Sequence, residues 1–153
     1  MTETSPLMRV VAAVALMGSA CGNTLPHQVD SNVECVDRIP LPDYPALARL
    51  AGIQGTITAS VVLSSTASVE EITTEVRPED AIGKKLLVSL VRDAIKGSSF
   101  HSGCGNKTVQ LVFRFEIVGR PSEYTITKLA YGYPNQFWIT TPPALDKSKS
   151  GMK

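Results

Sequence analysis

Thr108-Val109-Gln110-Leu111-Val112-Phe113-Arg114-Phe115-Glu116-Ile117 is the stretch on which the fold turns. Val109, Leu111, Phe113, Phe115 and Ile117 alternate with Thr108, Gln110, Arg114 and Glu116, a period of two that sends one set of side chains into a core and leaves the other wet. It predicts a half-buried strand. The same period runs upstream over residues 55–63, where Ile57, Ala59, Val61 and Leu63 share one face and Thr56, Thr58 and Ser60 the other. Residues 64–68 are small and polar and read as a turn. Residues 69–76 then return as the second arm of a hairpin, with Ile72, Thr74 and Val76 on one face.

Between these strands the period changes to that of a helix. Leu87, Leu90, Val91 and Ala94 stand at i, i+3, i+4 and i+7, with Lys84, Lys85, Arg92 and Asp93 off the stripe and Gly97 as a stop. A shorter helix precedes the first strand: Pro45 suits a first helical turn, Leu47, Leu50 and Ala51 recur at helical spacing, and Gly52 suits a left-handed cap. Downstream, residues 124–131 and 137–141 read as two further extended segments. The expected fold is α+β, an antiparallel sheet of about three core strands with two helices on one face and extended C-terminal strands.

The ends of the chain are read separately. Arg9 is followed by an apolar run from Val10 to Met17 and then by Gly18, Ser19 and Ala20, the order of a secretion signal. Met8 offers an alternative start with a cleaner charged end. The run is about half the roughly 20 residues a membrane-spanning helix needs. The expected organisation is a signal segment over 1–21, a tether over 22–42, one domain over 43–141 and a flexible tail over 142–153. Cys21 follows the small residues as the lipidated cysteine of a bacterial lipoprotein does, although Gly18 stands where such a motif usually has Leu. Ordinary cleavage before Cys21 is the alternative. Either way the expected location is the periplasm, with or without a lipid anchor at Cys21.

Hydrophobic residues make up 43% of the 153, charged ones 19%, and the formal net charge is +1. A folded domain has this composition. Scattered Lys and Arg among nearly as many acids give no basic stripe for phosphates, so no nucleic-acid partner is expected. Outside the leader, Cys35 and Cys104 are the remaining cysteines, and export favours a disulfide between them. Two alternatives stay open: a metal site joining them with His101, and free core thiols. His27 and His101 fall in no catalytic pattern, and Glu70, Glu71 and Glu75 read as solvating charges on a hairpin strand. No enzymatic activity, cofactor or metal is expected.

One order of motifs is more specific. Leu41-Pro42-Asp43-Tyr44-Pro45-Ala46-Leu47-Ala48-Arg49 leads into Gly52-Ile53-Gln54-Gly55-Thr56-Ile57; Val91-Arg92-Asp93-Ala94, Phe100 and Phe113-Arg114-Phe115 follow. Over residues 39–117 this resembles the carboxy-terminal domain family of TonB. The resemblance implies a periplasmic domain in envelope transport that captures an extended segment of an outer-membrane transporter by strand addition. It assigns the docking edge to residues 108–117, with Thr108, Gln110, Val112 and Arg114 as contacts, and a second contact region to Leu41, Pro42, Tyr44 and Pro45. The family motif usually begins with Gln where this chain has Leu41, and the family's uncleaved membrane helix and Pro-rich spacer have no counterpart in the sequence. The alternative reading is a structural envelope lipoprotein with a closed TonB-like fold and no energy-transducing role.

Overall fold

The computed structural model describes residues 33–77 and 81–145, which form an α+β fold. The leader, Cys21 and residues 146–153 lie outside the described residues. In chain order the elements are β1 (Val36–Arg38), α1 (Ala46–Leu50), β2 (Gly55–Leu63), β3 (Val69–Arg77), α2 (Ala81–Lys96), β4 (Ser99–Phe100), a 3-10 turn (Ser102–Cys104), β5 (Thr108–Ile117), β6 (Lys128–Gly132) and β7 (Gln136–Thr141). Five strands make one sheet in the order β3-β2-β5-β7-β6, and β1 and β4 pair separately.

The alternation read from the sequence is the alternation of burial. Ile57, Ala59, Val61 and Leu63 of β2, and Val109, Leu111, Phe113 and Phe115 of β5, are buried on the face that α2 covers with Leu87, Val91 and Ile95. Antiparallel pairing sets Ile57 beside Phe113 and Ala59 beside Leu111, so the apolar sets of both strands meet in one layer. The turn after β2 is built by the Ser64 hydroxyl, which accepts from the N–H groups of Thr66 at 3.2 Å and Ser68 at 3.0 Å.

The structure corrects three expectations. The domain starts before residue 43, because Cys35 and Val36 belong to the core and residues 36–38 form β1. The apolar positions of α1 do not face inward: Leu47 and Leu50 are 68% and 66% exposed, while Ala48 and Arg49 are buried. A helix of five residues has too little face to bury a leucine stripe when its inner side is already occupied by Tyr44. The third concerns the sheet. β5 is its central strand, flanked by β2 and β7, and β5 and β7 run parallel, so the sheet is mixed.

That topology follows from the route of the C-terminal chain. After β5 it passes outward, runs back as β6 on the outer edge, and returns as β7 in the gap between. The inner position goes to the strand with the better core face. Phe137, Ile139 and Thr141 of β7 are buried, whereas β6 is exposed over four of its five residues. Phe137 stacks on Phe113 with ring centroids 5.0 Å apart.

Candidate functional site

Residues 108–117 were expected to offer an open edge, and the structure closes it over Val112–Ile117. Val112 donates its backbone N–H to the carbonyl of Asn135 at 3.0 Å, and Val118 donates to the carbonyl of Thr141 at 2.8 Å. Between them Val112 through Ile117 face Gln136 through Thr141 in continuous register. Over Val112–Ile117 the backbone groups that strand addition would use are therefore engaged within the chain, whereas β7 does not extend beside Thr108–Leu111. Gln110 and Val112 are half-buried on the face opposite the helices, Thr108 is buried, and Arg114 is exposed with its guanidinium 5.5 Å from the ring centre of Trp138. The ring of Trp138 lies over Gly132, where a Cβ would collide with it.

The second expected contact region is closed by the same segment of chain. Tyr44 is 2% exposed; its ring meets Phe115 edge-on at 5.7 Å and its hydroxyl donates to the carbonyl of Ile53. Burial pushes its pKa from 10.0 up to about 12. The Tyr44 N–H donates to the Thr127 hydroxyl at 3.2 Å, and the Arg49 guanidinium donates to the carbonyls of Tyr124 at 2.6 Å and Glu123 at 3.4 Å. The chain between β5 and β6 is thus strapped across the start of α1. Pro42 is buried, Pro45 caps the N-terminus of α1, and Leu41 remains 44% exposed. Tyr44 lies in the core with Phe115, whereas Gln110, Val112 and Arg114 point to the other side of the sheet. The eight residues expected to bind a partner do not form one surface.

Cys35 and Cys104 form a disulfide, and both are buried, at 0% and 2% exposure. It joins the residue just before β1 to the 3-10 turn before β5. His101 stands outside it, exposed, with Nδ1 4.0 Å from Asp37 Oδ1. The three residues of the metal alternative are therefore not a ligand set, and no group of three or more His, Cys, Asp or Glu residues suited to a metal occurs among the described residues. The acids Glu70, Glu71 and Glu75 are exposed along β3, as expected of solvating charges.

Two residues central to this arrangement had no sequence reading of their own. Arg49 was visible as part of a motif, but nothing local indicated that it would be buried against carbonyls about 75 positions away. Asn135 is fully buried with φ +54°, in the left-handed region Asn tolerates. Its side chain accepts from the Cys35 N–H at 3.3 Å and donates to the Val33 carbonyl at 2.8 Å, tying the turn between β6 and β7 to the start of the domain. The adjacent Pro134 and Asn135, residue types common in turns, are the local signal that could have pointed to it.

A cleft of about 790 Å³ runs between β3 and the C-terminal half of α2. Arg92 crosses it and donates to the Ile72 carbonyl at 2.9 Å. No helix of the described residues is long and apolar enough to cross a membrane. Compared with protein-family models, curated proteins and solved structures, the chain matches none.

Proposed function

We propose that this chain is a non-enzymatic, TonB-like periplasmic protein of the cell envelope, possessing a closed sheet and no energy-transducing role. The observation that carries the reading is the parallel pairing of β7 with β5, which occupies in cis the place where a transporter segment would add. The strap over Tyr44 and Arg49 supports it, because the other contact region implied by the TonB resemblance is held by the same C-terminal chain. Export through the leader and lipidation at Cys21 belong to this proposal, and both rest on the sequence.

The alternative, capture of a transporter segment on β5, requires β7 to leave first. A titration of the full chain with extended peptides from outer-membrane transporters, read by amide exchange of β5, separates the two. Closure predicts no saturable binding and unchanged exchange at Val112 and Arg114. Saturable binding that releases the β7 amides while those of β5 stay protected would restore the transport reading.

A further inference from the structure

The two outer edges of the sheet are protected very unequally. On β3, Glu70, Glu71, Glu75 and Arg77 are exposed, and Arg92 caps the outward carbonyl of Ile72. Charge and a blocking side chain are standard defences against edge pairing. On β6 the sequence is Lys128-Leu129-Ala130-Tyr131-Gly132, with one charge. Half of the large apolar side chains exposed among the described residues lie at positions 124–133, on this strand and just to either side of it.

The direction of its backbone groups follows from the neighbouring strands. Val112 and Val118 bond to the carbonyls of Asn135 and Thr141, so the odd-numbered groups of β7 face β5 and the even-numbered ones face β6. Lys128, Ala130 and Gly132 therefore bond to Thr140, Trp138 and Gln136. Leu129 and Tyr131 turn their N–H and C=O outward. Their side chains, 36% and 46% exposed, extend the apolar face of Phe137 and Ile139 past the edge of the sheet.

We propose that the β6 edge is a self-association surface, pairing antiparallel with β6 of a second copy of this chain about a two-fold axis at Ala130. The strand is complementary to itself in that register. Leu129 faces Tyr131 of the second copy and Tyr131 faces Leu129, so two outward-facing residues on each copy exchange four backbone hydrogen bonds. The same pairing sets an aliphatic side chain against an aromatic one twice, on the apolar side. Lys128 falls opposite Gly132, which leaves the two lysines roughly 13 Å apart along the ladder and outside a Debye length of about 8 Å. Ala130 meets Ala130 as the close, non-hydrogen-bonded pair with Cα atoms about 4.5 Å apart, so the side chains at this position face each other directly across the axis. A second copy is favoured over an unrelated peptide because each feature of the edge is answered by the edge itself. Four hydrogen bonds make a reversible dimer, with one continuous sheet of ten strands.

Sedimentation equilibrium of the full chain, with Ala130→Asp and Ala130→Lys variants, tests this. The native chain should dimerise with concentration. Each variant places like charges directly opposite and should raise the dissociation constant by roughly tenfold or more. An equimolar mixture of the two should recover a heterodimer, which a merely misfolded variant would not form. A native chain that stays monomeric at millimolar concentration overturns the proposal and gives the edge to another occupant. A dimer that persists unchanged in both variants, or a mixture with no recovery, equally overturns it.

Discussion

Replacing Phe137 by Ala asks whether the C-terminal hairpin belongs to the core or merely leans on it. Phe137 is 2% exposed and stacks on Phe113 at 5.0 Å with 21° between the rings, with Tyr131 on another side at 5.4 Å. It sits on β7, which alone separates β5 from the outer strand. Deleting a buried aromatic side chain costs about 3–5 kcal/mol in transfer and cavity terms. That is a large fraction of the roughly 5–15 kcal/mol by which a domain is stable. With a urea slope of roughly 1–3 kcal/mol per molar, the unfolding midpoint should fall by about 2 M while the slope stays constant. A hairpin only loosely attached would respond differently, since losing Phe137 would then fray β6 and β7 and leave the main transition in place. Urea unfolding followed by far-UV circular dichroism and by the fluorescence of Trp138, the chain's one tryptophan, reports on both. A midpoint shift below about 0.5 M, or a fluorescence transition well ahead of the dichroism one, would refute the claim that β7 closes the sheet as a member of a single core.

Four further outcomes are expected. Val112→Pro removes the donor to Asn135 and leaves a buried carbonyl short of a partner, so urea unfolding should show a loss of about 2 kcal/mol or more, where an edge position would tolerate the change. Tyr44→Phe should flatten the alkaline limb of stability: folded Tyr44 stays neutral to about pH 12 while the unfolded chain ionises from its ordinary value of 10.0, so its contribution of roughly 2–3 kcal/mol is full below pH 10 and lost as pH rises towards 12. Reduction of the Cys35–Cys104 bridge, which spans a sequence separation of 69, should cost about 4 kcal/mol in a denaturant titration with and without dithiothreitol, and identical midpoints would contradict it. Mass spectrometry of envelope-derived protein should find an N-terminus at Cys21, acylated or free, and an intact leader would defeat the export reading.

The strands whose burial alternates were legible because a period of two leaves its trace in side-chain type: Ile57 to Leu63 and Val109 to Phe115 are buried at the positions the pattern gave. α2 was legible for the same reason. Pairing order was not. Nothing in a strand's own residues records which neighbour it takes, and β6 precedes β7 in sequence while lying outside it in space. A comparison of the two runs held a partial clue, since Gln136-Phe137-Trp138-Ile139-Thr140-Thr141 is richer in aromatic and β-branched residues than Lys128-Leu129-Ala130-Tyr131-Gly132. Burial of Arg49 and Asn135 escaped notice because their partners are remote, and β1 because three residues are too few to show a period.

Closure also changes what a TonB-like motif order can imply. A short motif such as Tyr44-Pro45 with Arg49 can serve an open site or a filled one with the same residues, because the same groups satisfy a partner's backbone or the chain's own. Here the Arg49 guanidinium needs carbonyl acceptors, and residues 123–124 supply them. The Tyr44 N–H needs an acceptor, and Thr127 supplies it. An external segment would have to replace these bonds as well as the ladder between β5 and β7, and would gain only the difference between its contacts and those it displaced. The six residues of β7 already place Phe137 and Ile139 in the core, so that difference is small or unfavourable for any segment with a weaker apolar face. On the outer strand, Leu129 and Tyr131 turn outward the kind of backbone groups that Val112–Ile117 of β5 have already committed to β7.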